Sequence, residues 1–371
     1  MNFLIERNSF LEGIQKTLGV VEKKTTMPIL NNILIKTESD QIRIVATDRE
    51  IGLISYYDAK ITTPGEITVP SRKLFEMIRE IDGDVIDFKV MENNWVNVTC
   101  GKVIYKIPGI SAADFPEVLD VENVESIRIK CAVLKNIIEK TFFAISNDEM
   151  RPSLNGLFLK VIDGKLTVVA TDGHRLSIVN VSLDGDVGDH VNINGIIIPR
   201  KGVSEIRKLV EDGDHVDIRV LDGVCVVRKK DTVLRVSLID AEYPDYTRVI
   251  PKEEGVEIQL DKNQILHSLR RMSVMSTERF SGVKIDISDQ IMVLTSTNPD
   301  VGEAKDEIDV SYNGDPLEAG YNVRYLIDAM DSVDENIVSF EVRSGDGPGV
   351  IGSAGNRDYM CIVMPVKLRK D

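Results

Sequence analysis

The chain has 371 residues, 43% of them hydrophobic, and a net charge of −15 from 60 acidic and 45 basic residues. That length exceeds one ordinary core and points to two or three domains, while the apolar fraction excludes a disordered chain. The opening MNFLIERNSF reaches Glu6 and Arg7 too early for a secretion signal, and no run approaches the ~18 apolar residues of a membrane span, so the expectation is a soluble, cytoplasmic protein.

The first predicted element is a helix over Phe10–Val21. Pro28–Asp48, PILNNILIKTESDQIRIVATD, then reads as two alternating strands around a polar turn. Thr68–Asp84 gives a short strand, a helix with Leu74, Met77, Ile78 and Ile81 on one face, and an acidic turn. The strand in VIYKIPG (Val103–Gly109) and the dipeptide Phe115-Pro116 close this unit.

The same order begins again with a helix over Ala132–Ser146 and the hairpin PSLNGLFLKVIDGKLTVVATD, Pro152–Asp172. A strand and helix follow in Ile197–Asp214, then the strand TVLRVSLID from Thr232 and the dipeptide Tyr243-Pro244. A fainter third round contains a helix over Asn263–Met275, the hairpin Arg279–Asp300, the strand and helix of Tyr321–Glu335, and YMCIVMPVKL from Tyr359. Asp48 and Asp172 stand 124 residues apart, so the repeat is too long for a solenoid and reads as tandem domains. Polar stretches at Glu122–Ser126 and Pro251–Gly255 place the domains at 1–123, 127–250 and 254–371. The expected fold class is α+β, each domain having two helices packed on antiparallel sheets.

Cys100, Cys131, Cys225 and Cys361 form no CxxC pair, and the four histidines are scattered. Buried free thiols are expected, with no metal and no cofactor. The charge is segregated: the six helical segments (6–24, 71–81, 130–141, 200–211, 261–276 and 322–331) sum to +7, leaving −22 for the remainder. Helices gathered on one surface would give an acidic protein a basic lining for phosphates, without the zinc-finger spacing or aromatic platform that reads sequence. For any single Lys or Arg, a solvated helix face is the simpler explanation.

Within LTVVATDGHRLSIV, Leu166–Val179, a polar TDGHRL interrupts two buried strands. His beside Asp suits proton transfer, whereas Asp-Gly suits a tight turn needing positive φ. The first repeat continues ATD with REIG and only the second with GHRL. Thr-Asp is therefore expected to be scaffold, and Gly173, His174, Arg175 and Leu176 to serve a local purpose. Ser344–Gly355, SGDGPGVIGSAG, lacks the Lys-Ser/Thr of a phosphate loop and opens no helix, so it reads as a mobile loop.

Three copies of this unit, ATDGHRL, IIPRKGVSEI, EYPDYTRVIP and MPVKL in this order resemble the bacterial sliding clamps, the β subunits of DNA polymerase III, over essentially the whole chain. The resemblance implies a head-to-tail homodimer ring around duplex DNA, helices inside and sheets outside. It implies a hydrophobic pocket for short peptides of the polymerase catalytic subunit, the clamp loader, other polymerases and repair proteins. Matching pocket positions are Leu154, Thr171, Gly173, His174, Arg175, Leu176, Pro244, Arg248, Val249, Asn322, Tyr325, Ile362, Met364, Pro365, Val366 and Leu368. The apolar members suit a peptide's anchors, and Arg and His rims suit its polar groups, with core packing the alternative for Leu154, Ile362 and Met364.

For sequence-independent DNA contact the matching positions are Lys24, Arg72, Lys73, Arg151, Arg200 and Lys201, with Pro152 and Ser153 where some relatives have aromatic residues. For the dimer seam they are Val274 and Met275 together with the strand Lys102–Ile107, including Ile104 and Tyr105, expected to pair with a third-domain edge. Arg369, Lys370 and Asp371 extend past the usual family end and are expected at the pocket mouth.

The expected function is a processivity factor that tethers by topology, without membrane contact and without catalysis. A nuclease or hydrolase built on Asp48, Asp172 and His174 is the rival, but it would need convergent carboxylates that equivalent points of different domains do not supply. A scaffold that never meets DNA leaves the basic helices unexplained.

Overall fold

The computed structural model describes residues 1–21, 27–120, 125–183, 192–253, 255–277, 280–343 and 347–367. All six expected helices form: α1 (Arg7–Thr17), α2 (Ser71–Arg79), α3 (Cys131–Thr141), α4 (Arg200–Leu209), α5 (Lys262–Ser273) and α6 (Val323–Asp331). α1 stops at Thr17, four residues before the apolar spacing does. Val20 and Val21 continue that spacing because the turn after the helix also faces the core, where both are buried. Asn2–Glu6, Ile127–Lys130 and Val256–Asp261 are strands that lead into α1, α3 and α5 and that the sequence reading lacks. With four to six residues each, they carry too few alternations to be told from a helix entry.

The chain folds as two compact units, Met1–Ala132 with Ser204–Leu238, and Val133–Gly185 with Asp189–Val203 and Ile239–Asp371, apart from a few residues. In the first, the five-stranded sheet runs Lys60–Thr63, Asn2–Glu6, Val85–Val90, Trp95–Cys100, Val103–Pro108. Its core is an aromatic trio in which Phe3 stacks on Phe88 at 4.8 Å and Phe10 meets both edge-on. In the same unit Thr232–Ser237 pairs with Ile51–Asp58, Leu234 opposite Leu53, so strands of two repeats make one eight-stranded sheet.

The second unit repeats this device. Arg175–Ser182 pairs with Asn356–Val363, Leu176 opposite Ile362, inside another eight-stranded sheet, and a four-stranded sheet ends on Gly302–Asp309. Each repeat thereby covers a hydrophobic strand edge of its neighbour, which removes an aggregation hazard. The glycine-rich segment read as a loop instead contains the strand Gly349–Ser353, paired on both sides. Gly349 is there because a Cβ would lie 2.9 Å from the Phe340 ring. Ser344–Asp346 lie outside the described residues.

Candidate functional site

Two turns share one construction. In the first repeat Thr47 Oγ1 donates to Ile51 O at 2.8 Å and accepts the Arg49 N–H, while Asp48 Oδ1 accepts the Glu50 and Ile51 N–H. In the second, Thr171 Oγ1 donates to Arg175 O at 2.6 Å and accepts the Gly173 N–H, while Asp172 Oδ1 accepts the His174 and Arg175 N–H. Thr-Asp is therefore the turn's scaffold in both, as the repeat comparison expected. The position after it is left-handed in each, Arg49 at φ 83° and Gly173 at φ 89°.

What differs is what stands over that position. A Cβ on Gly173 would lie 2.7 Å from Arg151 Nη1, and Arg151 is held by Asp148, whose carboxylate accepts its Nε–H at 2.8 Å. Gly173→Ala is expected to lower the unfolding free energy by about 1–2 kcal/mol, and Arg49→Gly to stay within about 0.5 kcal/mol, as measured by urea denaturation. Equal effects would remove Arg151 from the account of this turn.

Arg175 is not at a rim. Its side chain is 11% exposed. Nε donates to Asp172 Oδ2 at 3.0 Å, Nη1 to Asp328 Oδ2 at 2.5 Å and Nη2 to Phe143 O at 2.7 Å. Its guanidinium lies 4.5 Å from the Tyr325 ring centroid and 5.1 Å from that of Phe143. Burial pushes its pKa down, but Asp328 and Asp172 together push it further up, so it stays charged. His174, exposed, stacks on Tyr325 at 6.3 Å and 23°, and its carbonyl accepts the Met364 N–H at 2.9 Å.

The apolar part of the site is a wall. Leu176 and Ile362, paired across strands, cluster with Val169 and Ile178. Tyr243 stacks on Phe158 at 4.7 Å, Tyr246 tilts beside it, and all three rings pack on that cluster. This seats Pro244, Arg248 and Val249 beside the wall; Asp245 caps the turn Tyr246–Val249 and accepts the Arg248 Nε–H, leaving Val249 41% exposed. Pro365 bridges to Tyr321 and the Val366 N–H donates to Gly320 O, next to Asn322, the N-cap of α6, which carries Tyr325. Leu154 is buried at the end of the segment that carries Arg151. Leu368 and the three residues after it lie outside the described residues. Phe158, Tyr243, Tyr246, Phe143 and Asp328 escaped sequence reasoning. The aromatic-Pro repeat at Tyr243-Pro244 was the available signal for one of them.

A separate cavity of about 500 Å³ lies between Ile250–Glu253 and the strands of Ser339 and Gly352, and none of the expected pocket residues lines it. Among the described residues no cluster of His, Cys, Asp or Glu suits a metal, and no helix is long and apolar enough to cross a membrane. Cys225 and Cys361 are fully buried, which pushes their thiols up to about 12.

Of the DNA candidates, Arg72 and Lys73 are exposed on α2, where Lys73 pairs with Glu76 at 3.1 Å, and Arg151 is exposed. Arg200 is half-buried, 4.4 Å from the Phe142 ring centroid, and donates to Ile145 O at 2.9 Å. Lys201 follows it in α4, also half-buried, and Lys24 lies outside the described residues. Of the seam candidates, Lys102 is exposed, Ile104 is 68% and Val274 70% exposed, and Tyr105 and Met275 are half-buried. Ile107 is 3% exposed and serves its own sheet.

Family models described as the N-terminal, central and C-terminal domains of the DNA polymerase III β subunit match residues 1–120, 128–245 and 247–367. The β sliding clamp of Pseudomonas aeruginosa is 32% identical over 99% of this chain and all of its own length, and that of Escherichia coli 29% identical over the same shares. The crystal structure of the Pseudomonas aeruginosa DNA polymerase III β subunit superposes with a TM-score of 0.93 at 31% identity, covering 99% of this chain and 100% of that one. The Bacillus subtilis sliding clamp superposes at 0.94 with 25% identity over the full length of both.

Proposed function

The chain belongs to the family of DNA polymerase III β subunits, the β sliding clamps, and from that premise we propose that two copies close head to tail into a ring around duplex DNA. As a sliding clamp with three tandem clamp domains it is a processivity subunit, partnered with DNA and a DNA polymerase, and performs no chemistry itself. The domains divide at 1–123, 127–250 and 254–371.

The ring's seam is the strand Val103–Pro108 of one copy against Gly302–Asp309 of the other, each the last strand of its sheet, with Val274 and Met275 beside it. Charge supports this pairing: the first strand is flanked by Lys102 and carries Lys106, and the second carries Glu303, Asp306, Glu307 and Asp309 against the single Lys305. Lys24, Arg72, Lys73, Arg151 and Lys201 meet phosphates weakly enough to slide, while Arg200 spends part of its donor capacity on Ile145 O. Pro244 and Val249, with His174, Tyr325 and Met364, backed by the buried Leu176 and Ile362, take the hydrophobic anchors of peptides from the polymerase catalytic subunit, the clamp loader and repair proteins, in the cytoplasm.

The observation that carries this reading is the repeated unit itself, matched along the whole chain to one family. The test is primer extension on a primed single-stranded circle with the cognate catalytic subunit, loader and ATP. Adding the protein is expected to lengthen the product of each binding event by roughly tenfold or more, because tethering raises the polymerase's effective concentration. Unchanged lengths with an active loader would contradict it.

A further inference from the structure

We propose that Asp328 is a positioning residue of the peptide site: acting through Arg175, it sets the angle at which Tyr325 and His174 face an incoming peptide. This rests on the peptide-pocket reading above and deepens it. α6 carries Tyr325 and Asp328 three residues apart, hence on one face, and both engage a single guanidinium from the strand Arg175–Ser182. That guanidinium donates on three sides, to Asp172, Asp328 and Phe143 O, and lies close to two aromatic rings. It therefore works as a strut between strand and helix, with three of its five N–H groups spent on the protein.

The two carboxylates are not equivalent. Asp172 also accepts the His174 and Arg175 N–H, so removing it breaks the turn itself. Asp328 has no part in that turn, and its side chain is 43% exposed, so its removal costs the fold little directly. What it takes away is the second counter-charge of a buried cation. Arg175 is then free to lean to Asp172, and Tyr325, which touches both that cation and His174, loses its register.

The experiment compares Asp328→Ala, Asp328→Asn and Asp328→Glu with the parent, in the full chain. The probe is a fluorescein-labelled synthetic peptide copied from the clamp-binding segment of the cognate polymerase catalytic subunit, read by anisotropy. The Ala and Asn variants are expected to bind on the order of tenfold more weakly, and Glu, which keeps the charge, to recover most of that. The chain has four histidines, so the His174 imidazole resonance can be followed by NMR. It is expected to move in the Ala and Asn variants and to return in Glu, while the other three stay.

Parent binding within twofold in all three variants, or a loss in Ala that Glu does not reverse, overturns the positioning role and leaves the pocket standing. Absence of binding by the parent chain itself removes the pocket and the positioning role together.

Discussion

Ile104→Asp is expected to turn the assembled protein into a folded monomer. Val103–Pro108 is the outer strand of its five-stranded sheet, and its apolar side chains are unevenly buried: Ile107 is 3% exposed, but Val103 is 40% and Ile104 68%. An exposed isoleucine on a free edge invites another strand, and the head-to-tail seam is the partner proposed here. A carboxylate at that point would be desolvated against a strand that already carries Glu303, Asp306, Glu307 and Asp309 against the single Lys305. At about 2 kcal/mol per seam, and with two identical seams in a closed dimer, the dissociation constant should rise roughly a thousandfold. Because Ile104 is exposed, the monomer's unfolding free energy should change by less than about 0.5 kcal/mol. Sedimentation velocity at micromolar concentration checks this; a variant that sediments like the parent would move the seam elsewhere.

Arg175→Ala carries the second large effect. The substitution leaves Asp172, 17% exposed, and Asp328 facing each other across an emptied site without the cation that compensated them. Breaking a buried pair from one side is far costlier than the pair's net worth, and here the loss should reach about 3 kcal/mol of unfolding free energy, with peptide binding lost as well. Arg175→Lys should recover little, since an ammonium cannot donate to Asp172, Asp328 and Phe143 O along a planar fork. Chemical denaturation of the two variants decides it. A cost below about 1 kcal/mol for Arg175→Ala, within the ordinary range of a surface ion pair, would return Arg175 to the pocket rim.

The difference between rim and strut marks where the sequence was legible. Local patterns gave the right elements: 3.6-residue spacing in Leu74, Ile78 and Ile81, alternation in both ATD hairpins, and the Asp-Gly turn. Family matching placed His174, Arg175 and Leu176 together because they are consecutive. Partners that meet only in three dimensions carry no local signal. Asp328 lies 153 residues from Arg175 and reads as one more acid on an amphipathic helix. The joining of Ile51–Asp58 to Thr232–Ser237 was hidden for the same reason, since any alternating strand edge is a possible mate for any other. Gly349–Ser353 was missed because glycine lowers strand propensity, and the Phe340 and Tyr321 rings packed against Gly349 explain the choice.

On the reading proposed here, this chain holds DNA by encircling it. The most direct test is to load the protein with its cognate loader and ATP onto nicked circular plasmid, linearise half of the sample, and measure retention of each by gel filtration at moderate salt. A topological link predicts that the protein stays on circles and runs off linear DNA. Equal retention on both, or none on either with a loader shown to be active, would contradict the ring.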